Sequence, residues 1–197
     1  MEEEKKRLRR YFSARRNALS SEERAVYDAA LRKNLCALDL FCSSACTAAF
    51  MPLGAEPDLL PVLREKRLFL PRYAAEKQTY ELVEVFCLER DLVTGRYGIA
   101  EPRPEMPATE EDFIRNEVLF LVPAVSCDRR GTRLGRGGGF YDRLLEAVAK
   151  PPVGVIYSCQ TGEDLPKGRY DVPMGWVVTE KEVINCQREG EPLPDKE

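Results

Sequence analysis

An apolar segment, Val118-Leu-Phe-Leu-Val-Pro123, leads into DRRGTRLGRGGGFYDR (128–143) and then into an amphipathic stretch from Phe140 to Val148. The first reads as a buried strand and the last as a helix. Between them, Gly131, Gly135, Gly137, Gly138 and Gly139 are interleaved with Arg129, Arg130, Arg133 and Arg136. Strand, glycine loop and helix in succession are a recurring way to hold phosphate. Glycines let backbone N–H groups close in, and a helix N-terminus adds partial positive charge.

Two familiar phosphate loops do not fit. No Gly-Lys-Ser/Thr occurs, so the segment is not a P-loop, and Phe140 stands where a dinucleotide fingerprint needs its third glycine. Taken alone, the pattern leaves a flexible surface loop as the competing reading.

The remaining chemistry is narrowed by what the chain lacks. It contains no histidine, which excludes Ser–His and Cys–His catalysis and histidine metal ligation. Carboxylates, lysine, arginine, backbone groups or bound ligands must do the work. Seven cysteines are scattered without a C-x-x-C pair, and Cys42 and Cys46 make a poor zinc site, so reduced thiols in a cytoplasmic protein are expected. A formal net charge of −3 does not suit a general nucleic-acid binder. No apolar run approaches the ~20 residues of a membrane span, so no membrane partner is expected either.

In chain order, residues 2–17 read as a charged helix with Leu8, Tyr11, Phe12 and Arg15 near one face. Lys5 and Arg9, four apart, project together. Ser20 with Glu23 forms a capping box that starts a second helix running to about Leu38. Strands are expected near 47–51, 68–70, 82–86, 118–122, 153–157 and 176–178, with helices between most of them, one over 57–66. The polar end, 181–197 at its widest, is expected to fray. This pattern predicts an α/β protein: a monomeric, single-domain, three-layer α/β/α fold with a mostly parallel central sheet, binding ligands at the carboxyl ends of its strands.

Arg133-Leu-Gly-Arg-Gly-Gly-Gly-Phe-Tyr-Asp142 closely resembles the signature of the 5-formyltetrahydrofolate cyclo-ligase (methenyltetrahydrofolate synthetase) family, R-L-G-(R/Y)-G-(G/K)-G-Y-Y-D. Phe140 is its one clear departure. Other segments are similar too: Lys5-Lys-Arg-Leu-Arg9 to the family's K-x-x-(x/L)-R, Leu70-Pro-Arg72 to its L-P-R, and Gly95-Arg-Tyr-Gly-Ile-Ala-Glu-Pro102 to its G-x-x-G-I-x-E-P. Asp171 to Glu180 resembles a further motif, with Tyr170 replacing its histidine and Gly175 its second aspartate.

The resemblance implies ATP-dependent, magnesium-assisted closure of the small molecule 5-formyltetrahydrofolate to 5,10-methenyltetrahydrofolate. It implies nucleotide contacts from Lys5 and Arg9, although Lys6 and Arg10 satisfy the motif after a one-residue slip. Arg133, Leu134, Gly135, Arg136, Gly137, Gly138, Gly139, Phe140 and Tyr141 would complete the nucleotide site. Met51, Glu56, Arg136, Gly137, Gly138, Gly139 and Phe140 would meet the folate. Arg133 and Tyr141 would be catalytic, and Asp142 and Asp171 would hold magnesium, whose oxygen preference suits carboxylates. Two other classes compete: a nucleotide- or folate-binding relative without turnover, and a phosphate-sugar enzyme on a related α/β fold.

Overall fold

A computed structural model describes residues 1–95 and 98–187 of the chain. Its centre is a seven-stranded sheet built from β1 (Cys46–Ala48), β2 (Arg67–Ala74), β3 (Thr79–Val85), β6 (Val118–Pro123), β9 (Val153–Val155), β11 (Trp176–Val178) and β12 (Val183–Asn185). The spatial order is β12-β11-β9-β6-β1-β2-β3. The run from β11 to β2 is parallel, and an antiparallel strand closes each edge. The sheet is thus mostly parallel, as expected.

Alternation along the strands explains the layers. Leu68, Leu70, Leu119, Leu121, Val153 and Val155 pack on one face with Leu31 and Leu35 of α2 (Ser21–Cys36), Phe41 of α3 (Asp39–Ser43) and Leu63 of α4 (Leu60–Leu63). Phe69, Val118, Phe120, Val122 and Val177 pack on the other with Ile114 of α6 (Glu111–Glu117) and Leu145 beside α7 (Phe140–Leu144). Central strands buried on both faces therefore read as continuous apolar runs. The capping box forms as read: Ser20 Oγ accepts from Glu23 N–H, and the Glu23 carboxylate accepts from Ser20 N–H.

Several expectations are corrected. The helix placed at 57–66 is the single turn α4, because Pro61 has no N–H to donate back into a helix begun at Pro57. Strands β2 and β3 form a long antiparallel hairpin with no helix between them. Residues 181–187 do not fray, since β12 pairs with β11; residues 188–197 lie outside the described residues. On α1 (Glu2–Asn17) the buried residues are Lys5, Phe12 and Arg16, while Tyr11 and Arg15 lie outside, the guanidinium over the ring. Between β4 (Leu92–Thr94) and β5 (Ala100–Pro102), two residues of the G-x-x-G-I-x-E-P segment, 96 and 97, are likewise outside the described residues.

The glycine segment does not run directly from strand to helix. Between them β7 (Ser126–Asp128) turns back into β8 (Arg133–Leu134), and β10 (Thr161–Gly162) pairs with β7. Buried Asp128 holds this turn: Oδ1 accepts from the N–H groups of Arg130 and Thr132, and Oδ2 from that of Leu165. Asp128→Ala would orphan those donors and should cost roughly 3 kcal/mol or more, at roughly 1.5–3 kcal/mol per charge-assisted hydrogen bond. Urea unfolding that changes by less than ~1 kcal/mol would show that the turn holds without it.

Candidate active site

A cleft of about 700 Å³ opens at the carboxyl ends of β1 and β6. Its walls come from distant parts of the chain. α1 contributes Lys5 and Arg9; the segment after β1 contributes Met51 and Glu56; β8 contributes Arg133 and Leu134. Gly135, Arg136, Gly137, Gly138 and Gly139 form the rim, followed by Phe140, Tyr141 and Asp142 of α7, with Asp171 from the turn before β11. Lys6 and Arg10 are exposed and do not line it, so the two motif registers differ in where they point. Lys5, Arg9, Met51, Glu56, the residues from Arg133 to Asp142 and Asp171 thus line one cavity.

Lys5, Arg9, Arg133 and Arg136 in this cleft already have protein partners. Lys5 Nζ donates to Asp171, which also accepts from Gly168 N–H. Arg133, with only 5% of its side chain exposed, donates to Asp142 at 2.8 Å and lies over the Tyr141 ring. Arg136 donates to Glu56 at 2.6 Å. Arg9 donates to Glu2 and, through Nε, to the carbonyl of Gly135. Burial opposes ionisation of Asp171, but the Lys5 hydrogen bond, the Gly168 N–H and the charges of Lys5 and Arg133 together hold its pKa below the ordinary value. Burial, reinforced by the Glu56 charge, pushes the Tyr141 phenol well above its usual range, so it remains an O–H donor at neutral pH.

The loop itself departs from the expected cradle. Its left-handed positions are Gly137 (φ 102°) and Gly139 (φ 64°). A Cβ on Gly138 would instead run into the Phe140 ring at 2.5 Å. α7 is only five residues long, so guanidinium groups and loop N–H groups, more than a helix dipole, give the rim its positive character.

Some cleft residues carried little signal. Tyr80 faces the cavity because the β2–β3 register sets it opposite Tyr73, and both rings meet Phe140 edge-on. Glu101, by contrast, is the acid of the G-x-x-G-I-x-E-P segment; it lines the wall and accepts from Tyr73 N–H. Arg72 of the L-P-R segment is a tie rather than a wall: it pairs with Glu81 and donates to the carbonyls of Arg103 and Met106. Of the two departures, Tyr170 is 79% exposed beside Arg169, and Gly175 is pressed against Pro151.

The profile of the 5-formyltetrahydrofolate cyclo-ligase family matches residues 1–180. The chain belongs to that family. A 5-formyltetrahydrofolate cyclo-ligase of Mycolicibacterium smegmatis is 33% identical over 88% of this chain and 95% of its own length. The solution structure of a 5,10-methenyltetrahydrofolate synthetase from Aquifex aeolicus superposes with a TM-score of 0.81, at 37% identity, covering 97% of this chain and 96% of that one. A synthetase from Mycoplasma pneumoniae shares the fold, with a TM-score of 0.69 at 23% identity. Members of the cyclo-ligase family are ATP-dependent ligases acting on a small folate.

The Lys5–Asp171 pair links α1 to the turn before β11 and predicts an acid dependence. Because the folded-state pKa of Asp171 is depressed, its contribution is complete above the ordinary aspartate value of 3.8 and is lost as pH falls through the folded value. Wild type should therefore lose stability below about pH 4 more steeply than Asp171→Asn. Superimposable acid-unfolding curves would contradict this.

Proposed function

We propose that the cleft closes 5-formyltetrahydrofolate to 5,10-methenyltetrahydrofolate at the expense of ATP, in one domain working as a cytoplasmic monomer. The observation that carries this reading is the convergence of Lys5, Arg9, Arg133 and Arg136 with Glu56 and Met51 in a single cavity. A triphosphate suits the cationic end, where Lys5, Arg9, Arg133 and the N–H groups of Gly135–Gly139 meet. A reduced pterin, rich in N–H donors, suits the Glu56 end, with Met51, Tyr80 and Phe140 as apolar walls. No helix among the described residues is long and apolar enough to cross a membrane.

The formyl oxygen attacks the γ-phosphorus, forming an O–P bond as the bond to ADP breaks. The neighbouring anilino nitrogen then attacks the formyl carbon; its proton is lost, the C–O bond breaks, and phosphate leaves as the ring closes. The nucleophiles belong to the substrate, so a chain without histidine suffices. Arg133 neutralises the transferring group, as positioning and charge carry phosphoryl transfer. Tyr141, kept protonated by burial, donates a hydrogen bond to the phosphorylated oxygen.

Among the described residues no group of three or more His, Cys, Asp or Glu could hold a metal by itself. Asp142 and Asp171 fit the other case, in which one or two carboxylates share magnesium with substrate phosphates. Bound there, magnesium would neutralise phosphate charge. Asp142 and Asp171, now paired with Arg133 and Lys5, are the residues that would hold it once phosphates engaged those two cations.

Purified protein given ATP, magnesium and 5-formyltetrahydrofolate should develop the near-ultraviolet absorbance of the methenyl product. ATP consumption that ignores the folate would refute the assignment; folate binding without product would favour a non-catalytic relative. Asp142→Asn and Asp171→Asn should each raise the magnesium midpoint of the initial rate while the circular dichroism stays native. Unchanged midpoints in both variants would remove these residues from the metal site.

A further inference from the structure

Arg16 lies eleven residues after Lys5 and seven after Arg9 on the inward stripe of α1, yet it does not reach the cleft surface. Its side chain is 7% exposed, and its Nε and Nη1 are buried without a hydrogen-bond partner. Nη1 stands 3.6 Å from Oε1 of Glu56, which is equally buried. That same oxygen takes the hydrogen bond from Arg136, whose side chain is 53% exposed on the glycine loop. Oε2 accepts from Leu53 N–H, which fixes the plane of the carboxylate. Glu56 therefore has two counter-ions of different kinds, one locked in the interior and one standing at the mouth.

A buried carboxylate left without a counter-ion is strongly disfavoured. If Arg136 were Glu56's sole cation, drawing it toward a phosphate would strand the charge. We propose that Arg16 is the positioning residue of Glu56, holding its carboxylate aimed into the cleft when Arg136 turns to an anionic ligand. Arg16 acts at ion-pair distance without a hydrogen bond, so the acceptor capacity of Oε1 passes from Arg136 to the N–H groups of a reduced pterin ring. Burial lowers the pKa of Arg16, the Glu56 charge raises it and the Arg136 charge lowers it, so the three groups form one electrostatic unit. An arginine nevertheless stays charged throughout the working range. The proposal rests on the folate reading of Glu56 given above.

Two measurements on the full chain test it. The first is urea unfolding of the ligand-free protein in four forms: wild type, Arg16→Met, Glu56→Gln and the double variant. Glu56→Gln should lower the midpoint by stranding a buried guanidinium, and adding Arg16→Met should restore part of the loss. Additive losses would overturn the pairing. The second is steady-state kinetics. Arg16→Met should raise KM for 5-formyltetrahydrofolate about tenfold while KM for ATP stays within about twofold, and should add less than about twofold in the Glu56→Gln background. Arg16→Lys, which keeps the charge, should recover most of the folate KM. Equal rises in both KM values, or an undiminished effect in the Glu56→Gln background, would overturn the positioning role. If Arg16→Met does not fold, Arg16→Lys is compared with Arg16→Gln, and equal folate KM values overturn it. A wild-type protein that makes no methenyl product refutes the functional reading, while the unfolding cycle still decides the pair.

Discussion

Among the described residues, the four cations lining the cleft each answer to an oxygen of the protein: Lys5 to Asp171, Arg9 to Glu2 and the Gly135 carbonyl, Arg133 to Asp142, and Arg136 to Glu56. This matching is what lets a protein of formal net charge −3 bring so much positive charge to one cavity without unfolding from self-repulsion. It also fastens segments that lie far apart in the chain. Lys5–Asp171 ties α1 to the segment before β11, and Arg136–Glu56 ties the glycine loop to the segment after β1. An incoming polyanion would therefore exchange partners in an existing network, at less cost than assembling separated charges.

How much of this could be read in the amino-acid order depends on the range of the interaction. The central strands were legible because burial on both faces makes them continuous apolar runs, as in Val118-Leu-Phe-Leu-Val122. The capping box at Ser20 was legible because its partners are three residues apart. The cleft residues were legible as motif members, and Lys5 and Arg9 as a helical pair, but their partners Asp171 and Gly135 lie over a hundred residues away. The β2–β3 hairpin escaped notice because its turn, Ala75 to Gln78, lacks glycine, and Gln78 itself adopts φ 50°. Tyr80 was lost with it, since only the hairpin register turns that ring toward Phe140.

Arg16 shows a different kind of miss. Its spacing from Lys5, Arg9 and Phe12 continues one helical stripe, and that period was visible. The inner face was instead read through Leu8, Tyr11, Phe12 and Arg15, which left Arg16 off it. Tertiary context reversed the choice: Glu56, on the segment after β1, supplies a buried charge that makes a buried guanidinium tolerable. A helix stripe mixing Phe12 with Lys5, Arg9 and Arg16 is the mark of an element that seals a polar site as well as a core.

The glycines follow the same logic of close approach. At Gly137 the left-handed backbone (φ 102°) favours a bare residue where the loop lies beside the Arg9 guanidinium. Gly175 has another cause. A Cβ would come within 2.3 Å of Pro151 Cβ, so the aspartate of the family motif cannot be seated without moving the proline that leads into β9. Gly175 also lies outside the cleft wall, where Asp171, four residues earlier, does reach the cavity. The departure therefore reads as packing between Pro151 and the chain entering β11, and the carboxylate that matters to the cleft is the one retained.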